Sequence, residues 1–392
     1  MVTAVRIEGN QRVDTRALTP YVELQAGKPF SPEAARDDLA RLFGLGDFES
    51  VDVDLVPEGD GDAVVYRVKE KSWGPSYLRF GLGFQSNLGG DNDLSLLLGL
   101  NRTRINRLGA EWRTDLQLGS ERFARSGFYQ PLAFRQGWFV EPSVLLRRRT
   151  VPLFAEGVRT AEIDVSEETV AGDIGYLFGR YGEARLGLAY GRLEGRRDSG
   201  QVPEDQQSFL DRKIDRGAIT MSGIVDTLDD AKLPKSGSFL RLTAYDTLQS
   251  LGAEDEYAKV ELRTAMYRTR GRHTGFGNLQ VGTSPSGDLP VYDQFRLGGF
   301  FSLSGFDPGE LAGDNYGLVR LGYYYRFSKL FHVGGYGEAA RVTSDTQGLI
   351  ENPVLTLTGL LVGDTPAGPL YIGAATAEQG HRTVYVLFGR LF

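Results

Sequence analysis

Three histidines, His273, His332 and His381, are scattered through the 392-residue chain at separations that match no metal-ligand spacing. Cysteine is absent, which removes disulfides, thiolate zinc sites and cysteine nucleophiles together. Gly282-Thr-Ser-Pro-Ser286 begins like a nucleophile elbow, but it lacks the second glycine and falls on a strand pattern, not at a strand–helix turn. A Ser–His hydrolase is the one catalytic chemistry these residues leave open. The expectation is that the chain is not an enzyme and has no catalytic residue, cofactor or metal.

A different chemistry has the stronger pattern, that of holding one chain segment against another. Phe295-Arg-Leu-Gly-Gly-Phe-Phe-Ser-Leu-Ser-Gly-Phe-Asp-Pro-Gly309, followed by Gly313-Asp-Asn-Tyr316, sits in a connection over 285–314. That connection is too long and too patterned for an idle loop. Glycines permit tight reversal and close backbone approach, and Phe306 supplies an apolar anchor. Charges at Arg79, Arg113, Asp115, Lys259, Glu261, Arg320 and Glu338 fall on the polar side of alternating segments. Water inside a barrel would solvate such charges without further partners.

The elements that must position these residues alternate with period two. Leu78, Phe80, Leu82 and Phe84 alternate with Arg79, Gly81, Gly83 and Gln85, and Val319, Leu321, Tyr323, Tyr325 and Phe327 alternate with Leu318, Arg320, Gly322, Tyr324 and Arg326. The chain also ends inside a strand, where Val384, Val386, Phe388 and Phe392 share one face and Tyr385, Leu387 and Gly389 the other. An apolar closing strand ending in an aromatic is the pattern of an outer-membrane barrel. No run of 18 apolar residues exists for a helical span, and mean hydropathy is −0.26, as expected where lumen-facing polar residues alternate with lipid-facing apolar ones. With 51 glycines and 11% aromatics, composition alone also fits a soluble propeller or β-helix. The net charge of −7 argues against nucleic acid. Sixteen segments fit from residue 76 to 392, the first over 76–86 and the last over 382–392. The even number keeps both ends of the barrel chain on one side.

Residues 1–72 read as strand, helix, helix, strand, strand. Val5 and Ile7 alternate up to Gly9-Asn10, and Asp14 caps a helix over 15–24 that Pro20 must kink or interrupt. Ser31-Pro32-Glu33 starts a second helix, with Leu39, Leu42 and Phe43 as its expected buried stripe. Val51/Val53/Leu55 and Val64/Tyr66/Val68 form the last two strands. Met1 enters strand directly, with no export leader, so natural sequence is expected upstream.

This βααββ order, with Gly9-Asn10, Gly27, Leu42–Phe48 and Val68-Lys-Glu-Lys71, resembles a POTRA domain, although a generic α+β domain shares the order. In the long connection, Gly298-Gly299, Gly305-Phe306 and the following Pro-Gly resemble the sixth extracellular loop of the BamA-type superfamily, whose barrels insert or translocate outer-membrane proteins. The resemblance implies a mainly β chain: a 16-stranded antiparallel transmembrane β-barrel over 73–392, preceded by one α+β POTRA domain in the periplasm. It also implies that loop 285–314 folds back into the lumen and that Tyr336-Gly-Glu-Ala-Ala340 presents Glu338 inward. The chain departs from the family at two places, with Ser304 where an arginine is usual and Gly322 where an inward acid is usual. Losing both members of a buried pair costs less than stranding one. Arg320 is the expected substitute partner for Glu338, with the loop held by Ser304, Phe306 and backbone hydrogen bonds.

One POTRA before such a barrel, with Trp138–Ser143, Arg147–Arg149 and Gly175–Arg180, resembles the translocator of patatin-fused type V autotransporters. The implied function is secretion or display of an upstream lipase passenger; the alternatives are an insertase and a passive porin-like channel. Implied partners are outer-membrane lipid, the unfolded passenger polypeptide, the barrel-assembly machinery and periplasmic chaperones. Gly81, Gly83 and Gly389 would weaken a lateral seam between the first and last strands, or would only make room for the inward loop.

Overall fold

The structure, a computed structural model, describes every residue except 72–75, 88, 89, 134–136, 180, 208, 346, 347, 349, 350, 367 and 390–392. The chain divides into two compact units. One comprises Met1–Leu78, Gly99–Thr114 and Gly127–Glu141, and the other Arg79–Leu98, Asp115–Ser126 and Pro142–Phe392.

The amino-terminal domain runs β1 (Val2–Glu8), α1 (Thr15–Leu18), a 3₁₀ turn at Thr19–Tyr21, α2 (Pro32–Gly44), β2 (Phe48–Glu58) and β3 (Gly61–Glu70). Its sheet order is β1-β3-β2, with β1 parallel and β2 antiparallel to β3. Asp14 caps α1 by accepting the Arg16 N–H, and Pro20 turns the expected ten-residue helix into one α turn and one 3₁₀ turn. The Ser31 hydroxyl caps α2. Leu18, Leu42, Phe48, Val64 and Tyr66 form the core. The predicted helical stripe needs one correction: Phe43 is 55% exposed, while Asp38 is fully buried. Its carboxylate accepts the backbone N–H groups of Glu23 (2.8 Å) and Leu24 (3.3 Å), the Tyr66 hydroxyl (2.6 Å) and the Arg41 guanidinium (2.5 Å). A polar stripe position is thereby the knot between α2, β3 and the chain after α1. Burial pushes the Asp38 carboxyl up, but Tyr66, the Glu23 N–H and Arg41 together hold it below the ordinary range.

The remaining strands are β4 (Ser76–Ser86), β5 (Asn92–Arg102), β6 (Glu111–Leu118), β7 (Arg122–Pro131), β8 (Trp138–Ala155), β9 (Val158–Leu177), β10 (Gly182–Gly200) and β11 (Lys213–Asp226). Then follow β12 (Gly237–Thr247), β13 (Ala258–Arg270), β14 (His273–Ser286), β15 (Phe295–Leu297), β16 (Leu311–Gly313), β17 (Asn315–Arg326), β18 (Phe331–Thr343), β19 (Val354–Thr365), β20 (Gly368–Ala377) and β21 (Arg382–Phe388). All but β15 and β16 form one closed barrel of sixteen strands, in which β21 meets β4. Among the described residues no helix is long and apolar enough to cross a membrane; crossing falls to the strands. On β4 and β17 the predicted apolar faces point outward, with Phe80 71% and Leu321 67% exposed, while Arg320 and Tyr324 are buried inside. Strands β8, β9 and β10 run for 18, 20 and 19 residues, well beyond the roughly ten that span a bilayer. Their far ends enclose Val151, Ile163, Leu193, Val202, Phe209 and Tyr292 in a separate apolar cluster.

Candidate functional site

The connection between β14 and β17 is folded, not draped. β15 pairs with β16 at its base, and the chain between them reverses through Gly298 (φ 127°), Phe301 (φ 59°), Leu303 (φ 70°) and Gly305 (φ 108°). A Cβ on Gly298 would lie 1.9 Å from the Asp307 carbonyl oxygen, so only glycine fits there. The tip lies against the inward face of β17, β18 and β21. Glu338 on β18 accepts the Ser304 N–H (2.6 Å), the Leu303 N–H (3.3 Å) and the Thr356 hydroxyl (3.0 Å). Arg320 Nε donates to the same carboxylate at 3.0 Å, and its terminal nitrogen donates to the Phe301 carbonyl. Arg320 also stacks over the rings of Phe301 and Tyr336. The substitute ion pair expected from sequence is therefore formed, and it is buried on both sides. Ser304 contributes mainly through its backbone; its hydroxyl, among the described residues, meets the Tyr336 hydroxyl at 2.8 Å. At Gly322 the space of the missing acid is filled by the Phe276 ring, 2.1 Å from where a Cβ would stand.

The same loop grips the closing strand. The Gly305 N–H donates to the Tyr385 hydroxyl (2.9 Å), which donates to the Phe306 carbonyl (3.4 Å), and the Thr383 hydroxyl donates to the Gly305 carbonyl (3.3 Å). Phe300 stacks on Tyr385 at 4.9 Å and Phe306 on His381 at 4.6 Å. Among the described residues β21 pairs with β4 at three positions, Val386 with Ser86, Leu387 with Gln85 and Phe388 with Phe84. Val384, Val386 and Phe388 face outward while Tyr385 and Leu387 are buried inside; Phe392 lies outside the described residues. The seam glycines occupy three different settings. A Cβ on Gly81 would meet Leu97 at 3.4 Å, and Gly83 lines the lumen cavity. Gly389 follows β21 in a left-handed conformation (φ 98°), where a Cβ would strike the Leu82 carbonyl oxygen at 2.2 Å.

Sequence reasoning missed Asp293, at the loop's other end. It accepts the hydroxyls of Tyr245 and Tyr257 (2.5 Å each) and the Arg216 guanidinium (3.0 Å), with Arg149 3.6 Å away. Lys259 donates to its carbonyl at 2.5 Å. Burial pushes the Asp293 carboxyl up, but Arg216, Lys259 and Arg149 hold it at about 2. The only sequence signal was an acid inside an aromatic, glycine-rich loop opposite arginines on inward faces. Several of the lumen charges are paired, some with one another and some with a neighbouring charge: Arg79 with Asp115, Arg113 with Glu111, and Arg263 with Glu261. Ser284 spends its hydroxyl on the carbonyls of Ala258 and Gly287, and the three histidines meet aromatic rings: Tyr323 and Tyr325, Tyr324, and Phe306. Alongside the loop lies a cavity of about 770 Å³, lined by Gln85, Ser95, Gln117, Glu261, Asn278 and Gln280 among others.

A closed sixteen-strand barrel, holding a long connection against its inner wall and preceded by a βααββ domain, defines an outer-membrane barrel protein whose lumen is occupied by its own chain. The Omp85 superfamily domain matches residues 77–335 and the POTRA domain, a surface antigen variable number repeat, matches residues 1–71, so the chain belongs to the Omp85 superfamily. It is an outer-membrane protein with its POTRA domain in the periplasm. Outer membrane protein assembly factor BamA of Nitratidesulfovibrio vulgaris is 21% identical over 360 residues, 83% of this chain and 42% of that protein. Protein TOC75-3, chloroplastic, of Arabidopsis thaliana is 23% identical over 424 residues, 95% of this chain and 51% of that protein. The chain thus spans about half the length of these curated relatives. Among solved structures, BamA from Haemophilus ducreyi lacking POTRA domains 1–3 superposes with a TM-score of 0.80 at 17% identity, over 100% of this chain and 84% of that one. CdiB from Acinetobacter baumannii gives 0.61 at 12% identity, over 99% of this chain and 73% of that one.

Proposed function

We propose that the chain moves unfolded polypeptide at the outer membrane, as the translocator of a passenger joined upstream. An edge of the POTRA sheet receives an extended segment by backbone pairing, and the seam between β4 and β21 opens to release it sideways. The observation that carries this reading is the loop's double grip. One short segment, Leu303–Phe306, is bonded both to Glu338 on the fixed wall and to Tyr385 on the closing strand, so loop and seam move together or not at all. The finer expectation, a patatin-like lipase passenger of the type V kind, rests on the resemblance of Trp138–Ser143, Arg147–Arg149 and Gly175–Arg180, the last residue of which lies outside the described set. Any hydrolase activity would then belong to the passenger. An insertase is the second reading, favoured by the match to BamA over most of this chain. A patatin motif in the reading frame upstream of residue 1 would support the passenger; further POTRA repeats would support the insertase.

Because the chain has no cysteine, the seam can be tested directly. Gln85→Cys with Leu387→Cys places two thiols at paired positions on β4 and β21. Oxidation is expected to stop export of a fused reporter and reduction to restore it. Export that continues through a cross-linked seam eliminates lateral release.

A further inference from the structure

The connection 227–236, between β11 and β12, lies on the same side of the barrel as the chain's entry into β4, the periplasmic side. A connection there is expected to stay in solvent, yet Leu233 is only 5% exposed. It packs in one apolar cluster with the inward-facing Phe276, Tyr324, Tyr371 and Leu387. Phe300, from the loop that enters by the opposite mouth, belongs to the same cluster, with Phe301 packed against it. Two chain segments entering from opposite ends therefore meet across one layer of rings.

The turn is built to be held there. Asp229 accepts the N–H groups of Lys235 (2.8 Å) and Ser236 (3.0 Å), and Asp230 those of Lys232 (2.6 Å) and Leu233 (3.3 Å). These bonds fix the reversal and turn three consecutive-region carbonyls toward the wall. Tyr324 donates its hydroxyl to the Pro234 carbonyl at 2.6 Å, Tyr371 to the Lys232 carbonyl at 3.1 Å, and Thr269 to the Lys235 carbonyl at 2.6 Å. Tyr371 also touches the loop rings, 5.6 Å from Phe301 between centroids. Leu233 and Pro234 line the 770 Å³ cavity from this side and Phe300–Ser302 line it from the loop side.

We propose that the turn 227–236 is a periplasmic floor of the lumen, a second plug that is separate from the extracellular loop and must withdraw before anything enters the cavity from the periplasm. Tyr324 and Tyr371 are its latches, and Leu233 is the bolt that fills the ring layer. This holds whether polypeptide then leaves through the lumen or through the seam.

The test uses thiol accessibility in the full chain reconstituted in lipid, with a membrane-impermeant maleimide as the probe. Ala231→Cys, an exposed turn position, should label quickly. Leu233→Cys should label about tenfold slower or less, since a buried thiol waits on local opening. Tyr324→Phe combined with Tyr371→Phe keeps both rings and removes both latches. In that background Leu233→Cys should label faster and single-channel conductance should rise, while the barrel retains its heat-dependent shift in gel mobility. Equal labelling at 231 and 233 in the parent, or no acceleration on removing the latches, overturns the proposal. Flat conductance while the thiol becomes accessible also overturns it, because the turn would then not be a seal.

Discussion

Glu338 holds four donors at once: Arg320, the N–H groups of Leu303 and Ser304, and the Thr356 hydroxyl. Such a carboxylate is worth most when every partner is present, and removing it strands a buried guanidinium. Glu338→Ala is therefore expected to destabilise the barrel by about 3–5 kcal/mol, whereas the paired change Arg320→Met with Glu338→Leu should cost much less. Ser304→Ala removes one hydroxyl contact and leaves the backbone bond to Glu338 in place, a loss of about 1 kcal/mol. Phe306→Ala empties a buried ring site against His381 and should cost about 3 kcal/mol or more. Urea midpoints of the folded barrel, read from its gel mobility, rank the four variants. A Ser304→Ala effect as large as that of Phe306→Ala would contradict this account of how the tip is held.

At the scale of elements, strands were easier to read than the contacts that fix them. Period-two alternation reports which face meets lipid, and on β4 and β17 that alone gave the outward residues. A helix read by its apolar stripe gave Leu42 correctly and Phe43 wrongly, because the position that packs inward is Asp38. Its burial is compensated by four donors, from Tyr66, Arg41 and the segment before α2, that no local pattern contains. The turn at 227–236 was hidden for a similar reason. Asp229, Asp230 and Pro234 announce a tight reversal, but nothing in their spacing says that Leu233 points into the barrel. The POTRA knot makes a prediction of its own. Because the folded carboxyl of Asp38 lies below its ordinary value, it contributes stability above pH about 4, and that contribution is lost as pH falls through the folded value. Hydrogen exchange at the Tyr66 amide should thus stay slow from neutrality to about pH 4, after correction for intrinsic exchange, and its protection should weaken below that. Asp38→Ala should reduce protection at neutral pH by an amount corresponding to about 3 kcal/mol, since it leaves buried donors unmatched. An Asp38→Ala protein with unaltered exchange would remove the knot from the account.

Across the whole barrel, the long connection is tied at two stations in different parts of the strand order. Asp293 is held by Arg149 of β8, Arg216 of β11, Tyr245 of β12 and Tyr257 just before β13. The tip is held by Arg320 of β17, Glu338 of β18 and Tyr385 of β21. A strap fastened at both ends stays in the lumen when either end is cut, because the remaining station keeps the freed end near its site at high effective concentration. Asp293→Asn keeps volume and some hydrogen bonding but removes the charge that three cations share, so alone it should raise conductance in planar bilayers only slightly. The paired change Arg320→Met with Glu338→Leu should likewise have a small effect alone. Combined, the three changes loosen both stations, leaving the tip its contacts with Tyr385, Thr383 and His381, and conductance should increase by more than the sum of the separate increments, as expected for sites coupled through one segment. Strictly additive increments would mean that the two stations act independently, and that the loop is two local structures rather than one strap across the pore.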